Sequence, residues 1–459
     1  MDNILSAIPN MNTLLNHSLF DGVGRERVKR AVHEVLDCLR TDVISGARTT
    51  APTVDECAEL VLKRIGDADI TNLRRVINAT GVILHTNLGR APLGDELYSA
   101  SELSGYCNLE YDLETGQRGS RYAHVESLIC ELTGAQAAMV VNNNAAAMVL
   151  MLGTLAKDKK VAISRGELVE IGGSFRVPEI MEQSGAELIE VGATNKTRLI
   201  DYANAVSKHG AEVLLKVHTS NFEIVGFTES VSVSALAELG ALNNTPVLYD
   251  VGACFLIEPE LLGIDVGETA RSGITAGADV ICFSGDKLMG SAQAGILAGK
   301  SEYIAVMKKH PFARAFRPDK LTLSVLEATL RICRYPDEAK RRIPVLTMLS
   351  ADADELRRRA SVLAEQLKQI LPDWEVGVRE VYDETGGGSL PNVQLPGWAV
   401  ALVPSGISVT ELECRLRRSP APVIVRIYNG AALISMRTLL PGEDNRLVDI
   451  FRRMFEPGG

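Results

Sequence analysis

None of the eight cysteines belongs to a C-x-x-C pair; they stand singly at positions 38, 57, 107, 130, 254, 282, 333 and 414. Neither a zinc site nor a disulfide framework is therefore supported. H-E-x-x-H is missing, and the seven histidines do not pair at ligand spacing, so no metal ligands are expected. No apolar run approaches the roughly 18 residues that span a bilayer. Met1-Asp2-Asn3 carries no basic n-region and no signal-peptide pattern. Single thiols without an export signal set the expectation of a cytoplasmic protein. Positive charge is not in excess either: 48 Lys and Arg face 58 Asp and Glu, a net charge of -10. That speaks against nucleic-acid binding by the whole surface, although one positive face can sit on an acidic protein. Internal repeats and low-complexity tracts are missing as well.

What is present is an ordinary globular composition, 46% hydrophobic and 23% charged, in 459 residues. That length suits two or three domains and a large core. Residues 1–70 read as a helical module. Val28, Ala31, Val32, Val35, Leu36 and Leu39 recur at helical spacing, and Val54 to Ile65 repeats the pattern after the small-residue linker Ser45 to Pro52. The module has one basic cluster, Arg25-Glu26-Arg27-Val28-Lys29-Arg30, which reads equally as a solvated helix face. Residues 71–317 alternate short apolar strands with helical segments. The expected strands are Ala138–Val141, Val161–Ile163, Ala186–Val191, Val213–Val217, Val247–Asp250, Val280–Phe283 and Ala294–Ala298. Strands with helices between them imply a mostly parallel, buried sheet in an α/β domain. Residues 318–459 read as a small α+β domain, with helices over Leu321–Cys333 and Asp352–Leu371. Tyr428-Asn429-Gly430 lies between apolar runs and predicts a hairpin.

Three strand ends carry chemistry. Val280-Ile281-Cys282-Phe283 runs into Ser284-Gly285-Asp286-Lys287. A lysine just past a buried strand lies where α/β sheets bind ligands. Schiff-base chemistry with pyridoxal phosphate (PLP) needs such an amine. Alone, Lys287 reads as well as a solvated loop residue. Pro246-Val247-Leu248-Tyr249-Asp250 ends a strand in an acid, and a carboxylate against the pyridine nitrogen raises that nitrogen's pKa. Asp250 also reads as a turn or cap acid. Met139-Val140-Val141 meets Asn142-Asn143-Asn144-Ala145, a capped helix start whose free N–H groups suit a phosphate. Phosphate loop, then aspartate, then lysine is the order found in PLP enzymes of fold type I. Gly299-Lys300-Ser301 is no Walker A motif, because the glycine required five positions earlier is Ala294. His218 ends a strand and could stack on the ring, or be a loop histidine. Ser284 could bond the phosphate.

Longer motifs carry a specific resemblance. They are Ile77-Asn78-Ala79-Thr80-Gly81, His85-Thr86-Asn87-Leu88-Gly89-Arg90, Leu109-Glu110-Tyr111-Asp112-Leu113, Ser164-Arg165-Gly166-Glu167, Lys216-Val217-His218-Thr219-Ser220-Asn221 and Phe283 through Leu288. With these the chain resembles the bacterial selenocysteine synthases, the L-seryl-tRNA(Sec) selenium transferases, nearly end to end. The resemblance implies an aminotransferase-like fold with PLP on Lys287 and Asp250 against its ring. It implies cofactor contacts from Asn143, Asn144, Ala145, His218 and Ser284, and places Glu167, Gly172 and Gly173 near the cofactor without a derivable role. Arg90, Arg121, Arg314 and Arg317 would surround the selenium donor, selenophosphate. Residues 1–70 would grip seryl-tRNA(Sec). A homo-oligomer is implied, at least a dimer and in the family a ring of dimers. A small-molecule PLP lyase and a non-enzymatic tRNA-binding protein stand as alternatives; relatives of the lyase kind generally lack the N-terminal module. Two turns depart from the family pattern, Val251-Gly252-Ala253-Cys254-Phe255 and Gly290-Ser291-Ala292. Bulkier residues after Asp250 are expected to reshape the pocket near the ring.

Overall fold

The computed structural model describes residues 2–69, 71–94, 97, 105–171 and 175–455. The chain divides into two compact units, Met1–Arg75 and Val76–Gly459. The first is helical, with helices Asp2–Ser6, Met11–Leu15, Arg25–Ile44 and Val54–Asp69. Val28, Ala31, Val32, Val35, Leu36 and Leu39 form one buried stripe against Cys57, Ala58, Val61 and Ile65. That is the face which the 3.6-residue period predicts.

The second unit holds fourteen described strands: β1 Ile77–Ala79, β2 Ala137–Val141, β3 Lys160–Ser164, β4 Glu170–Ile171, β5 Phe175–Arg176, β6 Glu187–Val191, β7 Val213–Val217, β8 Val247–Gly252, β9 Val280–Ser284, β10 Gly295–Gly299, β11 Glu375–Glu384, β12 Gln394–Val403, β13 Val423–Tyr428 and β14 Ala431–Ser435. Seven of them build the central sheet in the order β2-β10-β9-β8-β7-β3-β6. Every pair is parallel except those made by β10, which runs against both β2 and β9. Strands β8, β9 and β10 are buried at every position, as continuous apolar runs require when both sheet faces are covered. Strands β7, β8 and β9 follow one another in the sheet as in the sequence, and they run parallel. Crossover helices therefore return the chain to one edge, and the carboxyl ends of β2, β9, β8 and β7 meet there.

The second sheet has the order β1-β13-β14-β12-β11. Helices Ala353–Ile370, Val409–Arg418 and Glu443–Phe455 pack on it through Leu356, Leu363, Leu412, Leu447 and Phe451. Residues 77–79 fall within the sequence range 71–317, yet β1 pairs in parallel with β13, Ile77 opposite Val423. A three-residue strand carries no signal of its partner. Likewise, the helix Lys320–Cys333 lies in sequence range 318–459 but buries Leu323, Leu326 and Leu330 in the core beneath β8 and β9.

Buried charge pins the second sheet. Asp383 on β11 and Arg437 are 0% and 3% exposed and pair at 3.1 Å. Ser435 Oγ donates to Asp383 Oδ1 at 2.8 Å, while Arg437 donates to the carbonyls of Met348 and Pro396, each at 2.6 Å. Burial pushes the Asp383 carboxyl up and the Arg437 guanidinium down. The pair is held because each charge satisfies the other and the surrounding groups. Replacing Arg437 by Met strands the carboxylate. Urea denaturation should show a loss of about 3–5 kcal/mol, with much of it recovered when Asp383 is replaced by Asn in the same protein.

Candidate active site

Lys287 sits in the turn after β9 and is 4% exposed. The turn is fixed from both sides. Gly285 N donates to Ala294 O at 2.8 Å and Ser291 N to Gly285 O at 2.9 Å. Ser291 of the departing Gly290-Ser291-Ala292 turn pairs its hydroxyl with Thr329 at 2.9 Å, anchoring the turn to the helix behind it. Burial lowers the Lys287 amine from the ordinary lysine range against the pull of Asp250, and Arg90 lowers it further. A buried, neutral-leaning amine is a nucleophile.

Asp250 on β8 is 1% exposed, and burial pushes its carboxyl up. Three donors from three places converge on one oxygen. Asn144 Nδ2 reaches Oδ1 at 2.9 Å, Gly252 N at 3.0 Å and Cys282 Sγ at 3.5 Å. Among the described residues no donor lies on Oδ2. The carboxylate is thus oriented by one oxygen and open at the other, which suits a protonated ring nitrogen. Val251, Ala253, Cys254 and Phe255 turn into the hydrophobic core.

Asn143 caps the helix Asn144–Leu155, accepting from Ala146 N at 2.9 Å. Its loop is drawn tightly over β10. A Cβ at Gly295 would run into the Asn143 carbonyl and lie 3.0 Å from Asn144 N, so only glycine fits. Asn144 and Ala145 open the helix, where backbone N–H groups are unsatisfied and the dipole favours an anion. Side-chain roles differ within the loop. Asn144 lends its amide to Asp250, an assignment invisible in the sequence. Ser284 closes β9 and is 5% exposed. This set of buried amine, half-open acid, capped helix and hydroxyl fits PLP.

His218 follows β7 and is bound through its backbone N to Asp250 O at 2.8 Å. Burial lowers its imidazole, with Glu268 acting in the opposite sense. Its placement depends on a pair that sequence reasoning left without a role. Glu167, 7% exposed, accepts from Lys216 Nζ at 2.7 Å and from Val217 N at 3.1 Å, tying the turn after β3 to β7. A cavity of about 550 Å³ is lined by Glu167, Lys216, His218, Tyr249 and Glu268 but by neither Lys287 nor Asp250. Gly172 and Gly173 lie outside the described residues.

Of the four arginines, Arg121 and Arg317 share one carboxylate, while Arg90 and Arg314 lie apart from them. Arg90, left-handed at φ 62°, pairs with Asp286 at 2.8 Å, one residue from Lys287. Arg121 forks onto Glu110 Oε1, with Nε at 3.1 Å, and donates to Pro318 O. Arg118 meets Glu110 Oε2 at 2.9 Å and Arg317 approaches at 4.0 Å. The Arg121 hydrogen bonds hold the Glu110 carboxyl below its usual range. This cluster borders the capped loop, because Asn142 N donates to Phe316 O at 2.9 Å. Arg314 is exposed. Glu110 was missed as a partner because it is distant in sequence from Arg317.

Residues 76–440 match the family described as L-seryl-tRNA selenium transferase. The L-seryl-tRNA(Sec) selenium transferase of Moorella thermoacetica is 47% identical over 451 residues, 97% of this chain and 96% of that protein. Its counterpart in Geotalea daltonii is 46% identical over 446 residues, 95% and 96% of the two chains. Among solved structures, D-glucosaminate-6-phosphate ammonia-lyase shares the fold, with a TM-score of 0.55, 20% identity, and coverage of 84% of this chain and 96% of that one. The chain belongs to the L-seryl-tRNA selenium transferase family.

Proposed function

We propose that this protein converts L-seryl-tRNA(Sec) to L-selenocysteinyl-tRNA(Sec), with PLP as cofactor and selenophosphate as selenium donor. The observation that carries the reading is the pairing of a buried lysine with a buried, half-open aspartate at the carboxyl edge of a parallel sheet. PLP supplies an electron sink for the carbanion at the seryl α-carbon, so that the β-hydroxyl can leave and selenium can add in its place. Lys287 would hold the cofactor by its aldehyde, and its amine, once free, would serve as the base for the seryl α-proton. Burial favours the neutral form that this needs. Asp250 Oδ2 would face the ring nitrogen and keep it protonated, and that cation would offset the cost of burying the carboxylate. Amides of Asn143, Asn144 and Ala145 with the Ser284 hydroxyl hold the phosphate, and His218 covers the ring. Arg90, Arg121, Arg314 and Arg317 hold the donor. Because Arg314 and Arg317 are exposed in one subunit, a homo-oligomer, at least a dimer, completes their surroundings. Among the described residues no helix is long and apolar enough to cross a membrane, and a cytoplasmic place suits a tRNA substrate.

The helical unit of residues 1–75 supplies the tRNA grip in this reading. Arg27 is paired to Asp69 and Arg30 to Glu34 within the unit, whereas Arg25 and Lys29 have no ion pair among the described residues. Those two are the cations of the basic cluster left for phosphate.

Two experiments test the reading. Uptake of PLP, followed by the absorbance of the lysine-bound cofactor, should rise with pH and level off below the ordinary lysine range near about 10.4, since burial lowers Lys287. Replacing Lys287 by Ala should remove the band at every pH; a band that persists refutes the assignment. Gel-shift titration should show tighter binding of selenocysteine tRNA than of bulk serine tRNA. Replacing Arg25 and Lys29 by Ala should weaken that binding and flatten its log-log salt slope by about 0.7–0.9 for each lost phosphate contact. Equal binding of both tRNAs by the PLP-loaded protein would favour a small-molecule lyase.

A further inference from the structure

Buried polar atoms without partners are rare in folded proteins, and each calls for a ligand, a water or a cost. Among the described residues eight side-chain atoms are of this kind, and four of them fall in one region. Ser220 Oγ, Asn221 Oδ1, Thr385 Oγ1 and Ser389 Oγ are all buried without a hydrogen-bond partner. Ser220, Thr385 and Ser389 are only 3%, 1% and 2% exposed. The turn Gly386-Gly387-Gly388, at φ +71°, +63° and +67°, brings the two pairs together. A Cβ on Gly388 would lie 3.1 Å from Asn221 Cβ, and one on Gly387 would lie 2.9 Å from Leu84 O. Leu84 N in turn donates to Thr385 O at 2.7 Å.

The cluster borders the active site on a defined side. Gly252 connects it to the acid, for a Cβ there would lie 3.6 Å from Ser220 Oγ and 4.0 Å from Asp250 Oδ1. Along the sheet, β2 and β9 carry the capped loop, Ser284 and Lys287; β8 carries Asp250; and β7 leads into Ser220 and Asn221. The cluster therefore lies across Asp250 from the phosphate seat. Leu84 leads through His85 to Arg90, whose partner Asp286 adjoins Lys287. The four open groups are uncharged. Arg437 is held by its 3.1 Å ion pair with Asp383, whereas Arg426, which acts on the same carboxylate only through space, has a buried Nε without a hydrogen-bond partner.

We propose that Ser220, Asn221, Thr385 and Ser389 form an uncharged hydrogen-bonding recess for the ester end of the aminoacyl substrate, its carbonyl and the adjoining ribose hydroxyls. The proposal rests on the cofactor placement given above. A free amino acid would present a carboxylate to the same groups. Hydroxyls and an amide oxygen satisfy an ester carbonyl and sugar hydroxyls, but they give a carboxylate no counter-charge for leaving water. The recess thus selects an esterified serine over a free one before any contact with the body of the tRNA.

The test uses the full-length PLP-loaded protein with L-serine methyl ester and L-serine as probes, read by the change in cofactor absorbance. The ester should reach half-saturation at a concentration lower by about tenfold or more, as expected where one ligand leaves site groups unpaired. Replacing Ser389 by Ala or Thr385 by Val should weaken the ester response by about threefold to tenfold and so narrow the preference for ester over free serine. Because neither hydroxyl has a partner inside the protein, both variants should keep or raise the unfolding temperature. Equal responses to ester and free serine overturn the proposal. So does a response to free serine that is lost on replacing Arg426 by Gln, which would make the recess a carboxylate site. A variant that lowers the unfolding temperature while the ester response stays intact marks the hydroxyls as structural and also overturns it. A protein with Lys287 replaced by Ala that responds like the parent overturns the cofactor placement and this proposal together.

Discussion

Everything at the site depends on how one buried carboxylate is held. Asp250 is inaccessible, and a carboxylate taken out of water drifts towards its neutral form unless donors or a cation restore it. Three donors from β9, the loop after β2 and β8 itself all reach Oδ1. The convergence needs the strand order of the sheet, because β2 and β8 are far apart in sequence and are brought together only by the insertion of β10 and β9 between them. Fixing one oxygen orients the other. The fold thereby makes an acid that is rigid and yet still short of one partner, and a pyridinium nitrogen is such a partner. Lys287 is the complementary case, an amine that burial moves away from its charged form. The two also favour each other's charged form, so each partly offsets the cost of burying the other.

Much of this was legible in the sequence, for a physical reason. Strands buried on both faces need unbroken apolar runs, so all seven strands of the central sheet announce themselves within a residue or two. The expected lysine, aspartate and asparagine loop stand out because each interrupts such a run with a residue that a core does not otherwise admit. The hairpin at Asn429-Gly430 was legible from its turn chemistry alone. What stayed hidden is whatever depends on tertiary register. Nothing local to Ile77–Ala79 names β13 as its partner, and nothing in Asn144 tells a phosphate ligand from a support for Asp250. Glu167 and Lys216 read as two unremarkable charges until β3 and β7 lie side by side.

The charge distribution follows the same logic. A net charge of -10 is compatible with a polyanionic substrate because cations are withheld from the average and placed singly. In the helical unit most basic side chains are tied to nearby acids. Arg64 and Arg30 share Glu34, and Arg27 takes Asp69. Exposed pairs of this kind add little to stability, but they do determine which cations remain for an external phosphate. The arginines around Glu110 show the reverse arrangement. Arg118, Arg121 and Arg317 lean on a single carboxylate, so their charge is only partly compensated within the subunit.

Partial compensation is also what separates the active-site edge from the rest of the protein. Asp383 and Arg437 are as deeply buried as Asp250 and Lys287, but their hydrogen bonds are closed within the sheet, and they do nothing beyond holding it. At the carboxyl edge of the central sheet, Asp250 keeps Oδ2 open, Asn144 leaves its own Oδ1 unpartnered, and Ser220, Asn221, Thr385 and Ser389 follow in one direction from it. Unpartnered atoms also occur elsewhere, at Thr154, Ser184 and Arg426, so it is the position of this group beside Asp250 that sets it apart. In the proposed reading, a charged ring would meet Asp250 and an uncharged acyl group with its sugar would meet the hydroxyls beyond it.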